Sequence, residues 1–264
     1  MVTFPQLGNL GRIGNQMFQI ASTIGIAKAN GMEVFFPDWP FDQFLNKPIP
    51  HIDSLVNPDY LFSENGDIPS LPKNGSVYGL TGYFQSEKYF LNYENEIRQL
   101  FSLKDEARIK EENKSILSSS NCSIHIRRGD YLDAQQLSHH GIVGMDYYNK
   151  AVKFFNVNTV NFIVFSDDIN WCKENINLPN MYFVERNNQG PEVKDVVHNK
   201  ISKANDIFDL FLMSYCDNHI ITNSSFSWWG AWLNKKTSKK VIAPKQWLVN
   251  DKCVDLIPKQ WVRI

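Results

Sequence analysis

The feature that most constrains the fold is a regular alternation of apolar segments and helical patterns in the second half of the chain. Strands are predicted at 122–126, 161–165, 181–184, 219–222 and 240–243, and helices at 146–155, 168–175, 205–216 and 226–235. This alternation is typical of a parallel sheet with helices on both faces, so we expect an α/β fold.

The first half opens with a glycine-rich loop, followed by a helical pattern that ends near the Asn30-Gly31 pair. A strand is predicted at 32–36, and the stretch 37–72 reads as irregular with short elements. The run Ser118-Ser119-Ser120-Asn121 is typical of a linker. We therefore expect two domains, 1–120 and 121–264, which a chain of 264 residues can form.

Charge and cysteine usage exclude several classes of protein. The net charge is −1, which provides no basic field for nucleic acid. The four cysteines (Cys122, Cys172, Cys216 and Cys253) lack zinc-site spacing, so we expect no metal site and buried free thiols. The sequence has neither a run of about 18 apolar residues nor a signal-peptide pattern. We expect a cytoplasmic protein with no transmembrane segment, and peripheral association with the inner membrane stays open.

Residues 125–131 read His-Ile-Arg-Arg-Gly-Asp-Tyr, directly after a predicted buried strand. Ligands of open α/β sheets bind outside the carboxyl ends of the strands, and arginine matches phosphate oxygens. Arg127 and Arg128 therefore indicate a phosphate-bearing ligand. The alternative is that both arginines pair with surface carboxylates.

The glycine loop, Gly11-x-x-Gly14, opens the first helix and allows a ligand to approach the backbone closely. Arg12, Asn15 and Gln16 supply donors there. The pattern is neither a dinucleotide fingerprint nor a Walker loop, so a plain turn is the alternative.

Ser166, Asp167 and Asp168 follow a predicted strand. Paired acids at this place hold a divalent metal or act as a base, and the alternative is that Ser166 and Asp167 form the N-cap of the next helix. Farther along the chain, Asp206 suits the first turn of a helix, but Asp209 lies among apolar residues and needs a partner.

The densest motif covers residues 223–233, where small polar residues precede an aromatic helix. Asn223, Ser224 and Ser225, with free amides at the helix start, form a second candidate anion site. Trp228 and Trp232 lie one turn apart and are expected in the core, and Trp229 falls beside that stripe.

Together these segments resemble the α-1,2-fucosyltransferase family (glycosyltransferase family 11). The resemblance rests on four motifs in order, at 11–19, 125–131, 166–168 and 223–233, and on the segment from His140 to Tyr148. It implies a GT-B-type α/β fold with two Rossmann-like domains facing a cleft. Residues 1–120 would lie on the acceptor side, and 121–264 would bind the GDP-sugar.

The implied reaction moves L-fucose from GDP-β-L-fucose to the 2-hydroxyl of a terminal galactoside, with inversion and without an essential metal or other cofactor. The acceptor would be an oligosaccharide or glycolipid that ends in a galactoside, and the product would belong to a bacterial surface polysaccharide.

The resemblance also implies roles for residues. Arg127 would bind the donor pyrophosphate and Arg128 would support it. His125 and Asp209 would contact the nucleoside, and Ser225 with its neighbours Asn223, Ser224 and Phe226 would line the phosphate pocket. The donor-binding set that we expect also includes Arg12, Gly14, Gln16 and Asp168.

The general base is open among Asp130, Asp167 and Asp168, and the alternative is a loose transition state that needs little base, with Asn15 only orienting the acceptor hydroxyl. Three other functions also stay open. The first is a transferase for another GDP-sugar or linkage, the second is a sugar-nucleotide-binding or lectin-like module without turnover, and the third is a metal-dependent nucleotidyl enzyme that uses Asp167 and Asp168.

Overall fold

The structure is a computed structural model that describes residues 1–52, 57–129, 138, 141–185, 192–195, 200–203, 205–249 and 255–264. The strands are β1 (Val2–Thr3), β2 (Val34–Phe35), β3 (Tyr60–Ser63), β4 (Tyr78–Thr81), β5 (Asn121–Ile126), β6 (Asn161–Ser166), β7 (Met181–Phe183), β8 (Glu192–Asp195), β9 (Lys200–Lys203), β10 (Asn218–Ile220), β11 (Val241–Ala243) and β12 (Val262–Arg263). The α-helices are α1 (Ile13–Ala29), α2 (Glu94–Leu100), α3 (Glu106–Glu112), α4 (Lys114–Leu117), α5 (Met145–Ala151), α6 (Ile169–Asn175), α7 (Asn205–Ser214) and α8 (Ser225–Leu233). Short 3₁₀ turns lie at Asp42–Phe44, Glu87–Tyr89, Leu91–Tyr93 and Val152–Phe154.

The chain forms two compact units. One comprises Met1–Asp105 with Pro191–Ala204, and the other comprises Glu106–Gly190 with Asn205–Ile264. By packing, α3 and α4 therefore group with the second unit, although the sequence places them before the expected boundary at 120/121. The division into domains 1–120 and 121–264 stays a prediction.

The second unit contains a six-stranded sheet with the order β12-β11-β10-β5-β6-β7, and each neighbouring pair is parallel. All five strands predicted for this half are present. The expected α/β class is thus confirmed, because a parallel pair needs a crossover that a helix usually provides. Strand β5 lies inside this sheet and is buried along its whole length, as its apolar sequence predicts.

The first unit contains a four-stranded parallel sheet with the order β2-β1-β4-β3. The stretch 37–72, expected to be irregular with short elements, contains the four-residue strand β3 and the 3₁₀ turn at Asp42–Phe44. This strand lies at the sheet edge and is largely exposed, so its sequence lacks the apolar alternation that marks a half-buried strand. The antiparallel pair β8–β9 also belongs to this unit.

The aromatic helix α8 belongs to the core of the second unit. Trp228, Trp229 and Trp232 are all buried, and their rings pack against one another at 5.1–5.9 Å between centroids. The indole N–H of Trp228 donates to the Leu256 carbonyl at 2.8 Å. Trp229 therefore joins the core with the other two, because the helix is enclosed on more than one side.

A buried histidine ties the amino ends of two strands to the end of α8. His219 Nδ1 lies 2.8 Å from Ser123 Oγ, and His219 Nε2 lies 2.8 Å from the Asn234 side-chain nitrogen. An amide nitrogen only donates, so Nε2 accepts and the ring proton lies on Nδ1. Burial, followed by the charges of Lys239 and Lys236, lowers the pKa of His219 to about 3.

The described cysteines are free and buried, as expected, at Cys122, Cys172 and Cys216. Cys253 lies outside the described residues. No helix among the described residues is both long and apolar enough to cross a membrane.

Helix α1 is buried nearly all round, so its polar residues need internal partners. Ser22 Oγ donates to the Phe84 carbonyl at 3.1 Å, and Thr23 Oγ1 donates to the Gln19 carbonyl at 2.6 Å. At Gly25 the helix touches another backbone, because an added Cβ would lie 2.0 Å from the Tyr89 carbonyl oxygen.

We therefore expect Gly25→Ala to destabilise the protein, although alanine is usually better than glycine in a helix by about 1 kcal/mol. The backbone contact forces a shift, and overpacking of this kind costs about 1–3 kcal/mol. Urea unfolding measures the change. Gly144→Ala is the matched control, because a Cβ there meets nothing within 4 Å. Equal stability of the two variants would contradict this account of the α1 contact.

Candidate active site

Three neighbouring strands of the second unit, β10, β5 and β6, end at the same edge of the sheet. Each strand is followed by one of the motifs found in the sequence. Parallel pairing therefore brings together His125 and Arg127, the Ser166–Asp168 run, and the segment from Asn223 to Phe226. This is the edge at which open α/β sheets bind ligands.

Asp167 holds the loop that follows β5. Its Oδ2 lies 2.8 Å from Arg127 Nη1, and its Oδ1 accepts a hydrogen bond from the Arg128 backbone N–H at 2.9 Å. A Cβ added at Gly129 would lie 2.5 Å from Asp167 Oδ2, so the backbone passes close to the carboxylate. The Asp167 side chain thus fixes both the Arg127 guanidinium and the Arg128 backbone.

Arg128 is held by the same motif through different contacts. Its guanidinium carbon lies 3.8 Å from the centre of the Trp171 ring, and its Nε lies 3.3 Å from Asp168 Oδ2. Asp168 Oδ1 also accepts from the Trp171 backbone N–H at 3.2 Å and so caps α6. The arginines therefore do pair with carboxylates, as the alternative interpretation expects, whereas the residue that caps α6 is Asp168 rather than Ser166 or Asp167.

His125 and Phe226 form a ring pair beside these arginines. Their centroids lie 5.2 Å apart with an interplanar angle of 39°, and His125 is only 4% exposed. Burial, followed by the charge of Arg127, lowers the pKa of His125 to about 3, so the ring is neutral at neutral pH. Its Nδ1 is buried and makes no hydrogen bond with the described residues.

The segment around the start of α8 divides into a buried part and a half-buried part. Asn223 is buried, and its amide nitrogen donates to the Trp247 carbonyl at 3.2 Å while its oxygen accepts from Thr222 Oγ1 at 3.1 Å. Ser224 occupies the N-cap without a side-chain capping bond. Ser225 begins the helix and is half-buried, as is Phe226.

Asp209 lies on α7 and is half-buried, with its Oδ1 enclosed. Asp206 lies in the first turn of the same helix and is exposed, which agrees with its interpretation as a favourable first-turn acid. The sequence predicts that Asp209 lies among apolar residues, and its carboxylate is indeed partly removed from water. Its role as a nucleoside contact stays a prediction.

The N-terminal loop belongs to the first unit. The side chain of Gln16 is used internally, because its Nε2 donates to the Gly11 carbonyl at 3.1 Å and its Oε1 accepts from the Trp39 indole at 2.8 Å. Asn15 is half-buried and Arg12 is exposed, whereas Gly14 is buried in the first turn of α1. Gly11 has a φ of 72°, so a left-handed turn requires this glycine.

The sequence did not indicate two residues that contact candidate site residues. Trp171 supplies the surface on which Arg128 stacks, and its only signal is its position three residues after Asp168. Gln85 donates to Asn15 Oδ1 at 2.6 Å from a loop seventy residues away, which no local pattern reveals.

Asp130 lies outside the described residues. In the part of the chain that the structure describes, no group of three or more His, Cys, Asp and Glu side chains is arranged to hold a metal ion.

The chain is similar to known glycosyltransferases. The family model described as Glycosyl transferase family 11 matches residues 6–264. The chain is 36% identical over 200 residues to an alpha-1,2-colitosyltransferase of Escherichia coli, covering 72% of this chain and 65% of that protein. It is 35% identical over 202 residues to the O-antigen biosynthesis glycosyltransferase WbnK of Escherichia coli, covering 73% and 62%. It is 27% identical over 252 residues to galactoside alpha-(1,2)-fucosyltransferase 2 of Bos taurus, covering 85% and 67%.

The chain thus spans just under two thirds of the length of the two bacterial relatives. Among solved structures, the fucosyltransferase NodZ from Bradyrhizobium matches with a TM-score of 0.50 at 14% identity, covering 88% of this chain and 90% of that one. At this identity the match bears on the fold alone, and it agrees with the GT-B-like α/β class.

The two buried histidines predict an acid-sensitive fold. Histidine in the unfolded chain has a pKa near 6.5, whereas burial lowers the pKa of His125 and His219 to about 3. Between these values the unfolded state binds more protons, so the unfolding free energy falls as the pH falls. Each histidine contributes a slope of about 1.4 kcal/mol per pH unit.

Urea unfolding at a series of pH values from about 7 down to about 4 measures this slope. This pH range spans the titration of histidine in the unfolded chain. His219→Gln removes one titrating group and is expected to flatten the slope, whatever it does to stability at neutral pH. An unchanged slope would contradict the assignment of His219 as a buried neutral ring.

Proposed function

Since this chain belongs to glycosyl transferase family 11, we propose that it transfers L-fucose from GDP-β-L-fucose to the 2-hydroxyl of a terminal galactoside, with inversion to an α linkage. The observation that carries the proposal is the fixed Arg127 guanidinium at the carboxyl end of β5. Its side chain is 14% exposed and is held by Asp167. A fixed, partly desolvated cation at this edge suits a diphosphate leaving group.

The chemistry needs stabilisation of charge on the departing GDP. Breaking the bond between fucose and phosphate leaves negative charge on the β-phosphate. Arg127 would neutralise that charge, and because Asp167 already orients it, little reorganisation is needed in the transition state. Ser225, with backbone amides at the start of α8, would donate to the remaining phosphate oxygens, because these N–H groups have no partner within the helix.

The nucleoside would lie against the His125–Phe226 pair. A neutral imidazole can donate from one nitrogen and accept at the other, which suits the edge of a purine, and the Phe226 ring offers an apolar face. Asp209 would accept from the N–H groups of guanine. The buried Nδ1 of His125 supports this assignment, because a bound base would supply the hydrogen bond that the described residues do not.

The acceptor hydroxyl must lose a proton during transfer. Asp167 and Asp168 are engaged with the two arginines and with backbone N–H groups, which favours Asp130 as the general base. Asn15 would orient the acceptor. We propose that the reaction needs no metal or other cofactor, since arginine supplies the positive charge that a cation supplies elsewhere.

A second candidate donor follows from the bacterial colitosyltransferase relative. Colitose is L-fucose without its 3-hydroxyl, so the two GDP-sugars differ by one polar group. A site that hydrogen-bonds this hydroxyl rejects the deoxy sugar by a large factor, whereas a site that ignores it accepts both. The O-antigen relative favours a surface polysaccharide acceptor, and such assembly would place the enzyme in the cytoplasm, soluble or peripheral at the inner membrane.

The decisive experiment measures GDP release from GDP-fucose with EDTA present, with lactose as the acceptor and an acceptor-free control. We expect release that depends on acceptor, and an α-1,2 linkage in the product. A parallel series with GDP-colitose compares the two values of kcat/KM. GDP binding without any release would indicate a binding module, and activity restored only by added Mg²⁺ would contradict the metal-independent mechanism.

Substitutions at the arginine clamp should produce graded losses. Arg127→Ala removes the charge itself, and we expect kcat to fall by a factor of about 100 or more. Asp167→Asn keeps the charge of Arg127 but weakens its orientation, so a smaller loss is expected. Steady-state kinetics with GDP-fucose measures both variants. Lys173→Ala, which breaks an exposed ion pair with Glu185, is the control. Near-normal turnover of Arg127→Ala would contradict the donor site.

A further inference from the structure

We propose that the carboxyl edge of the sheet in the first unit binds the acceptor sugar, with the Asn15–Gln85 amide pair as hydrogen-bonding group and Tyr83 as its stacking surface. The inference rests on the proposed transfer to a galactoside and specifies where that galactoside is recognised. Neither Gln85 nor Tyr83 belongs to the motifs identified in the sequence.

Two loops converge at this edge because β1 and β4 are neighbours in a parallel sheet. The loop after β1 leads into α1, and the loop after β4 contains residues 82–86. Thr81 Oγ1 lies 3.4 Å from Gln6 Oε1, which joins the two loops near the ends of the strands. Gln85 Nε2 then donates to Asn15 Oδ1 at 2.6 Å.

The loop after β4 is held in a strained conformation. Phe84 has a φ of 49°, in the left-handed region that a bulky aromatic residue rarely adopts. Glu64 Oε2 accepts from the backbone N–H groups of Phe84 at 2.7 Å and Tyr83 at 3.2 Å, and Ser22 Oγ donates to the Phe84 carbonyl. The Phe84 ring is buried and packs edge-on against Phe4 and Tyr89.

This combination points to function. A loop that only had to turn would use glycine at the left-handed position, which avoids the strain. Here a buried ring, a carboxylate and a hydroxyl all hold Phe84 in place, and strain that is held in this way clusters at functional sites. The consequence is that Tyr83 is held outward, with 45% of its surface exposed, while Gln85 is turned toward Asn15.

The residues match the chemistry of a galactoside. One face of β-galactose carries C–H groups that pack on an aromatic ring, and Tyr83 combines such a ring with a polar tip. Its hydroxyls need both donors and acceptors, which a pair of amides supplies. The Asn15–Gln85 bond also fixes the orientation of the amides before the sugar arrives, which reduces the entropic cost of binding.

The test separates acceptor recognition from donor recognition. For Tyr83→Leu and Gln85→Ala we expect the KM for lactose to rise about tenfold, the equivalent of one lost contact, with the KM for GDP-fucose and the Kd for GDP within about twofold of wild type. Two matched controls in the same unit are Tyr60→Leu, an exposed tyrosine on β3, and Gln43→Ala, a surface glutamine.

The possible outcomes are distinct. A selective rise in the acceptor KM, absent from both controls, supports the acceptor site. An unchanged acceptor KM in both variants overturns it, as does an equal rise for donor and acceptor together with a lowered Tm, because that pattern indicates only a structural role. If wild-type protein binds GDP but releases none from GDP-fucose, the proposed function itself fails, and the wild-type control reveals this before any variant is compared.

Discussion

Parallel strand pairing is the constraint on which both proposed binding regions depend. In a parallel sheet the carboxyl ends of all strands meet at the same edge, so loops that are far apart in sequence become neighbours. In the second unit this gathers the loops after β10, β5 and β6. In the first unit it gathers the loops after β1 and β4.

Within the second unit, two acidic residues each hold one of the two arginines of the 125–131 motif. Asp167 orients Arg127 and the adjacent backbone, whereas Asp168 caps α6 and pairs with Arg128, which also stacks on Trp171. The acids therefore serve the helix and the arginines at the same time. The structure thus shows a helix cap at Asp168 and ion pairs of both acids with the arginines, and a role of these acids as a base stays a prediction.

Burial explains why the same site keeps His125 neutral. A charged imidazole would lose water and would lie near Arg127, and both effects lower its pKa. His219 shows the same direction of shift with the proton fixed by Ser123 and Asn234, and its role is structural. A lowered pKa alone therefore does not distinguish a ligand contact from a core residue. The position of His125 at the carboxyl edge of the sheet is what supports the nucleoside contact proposed for it.

The sequence by itself determined the α/β class, the strands of the second sheet and the motifs at 125–131, 166–168 and 223–233, because apolar alternation and local motifs are properties of short segments. Only the tertiary structure decided which side chains meet. It turned Gln16 and Asn223 inward, enclosed Trp229 in the core, and paired Asp167 with Arg127 and Gln85 with Asn15. The physical reason is that these contacts join residues far apart in sequence, 70 positions for Gln85 and Asn15, and strand order sets their distance. The bounds of the exposed edge strand β3 were likewise decided by the tertiary structure, since its pairing with β4 supplies the order that its own residues do not indicate.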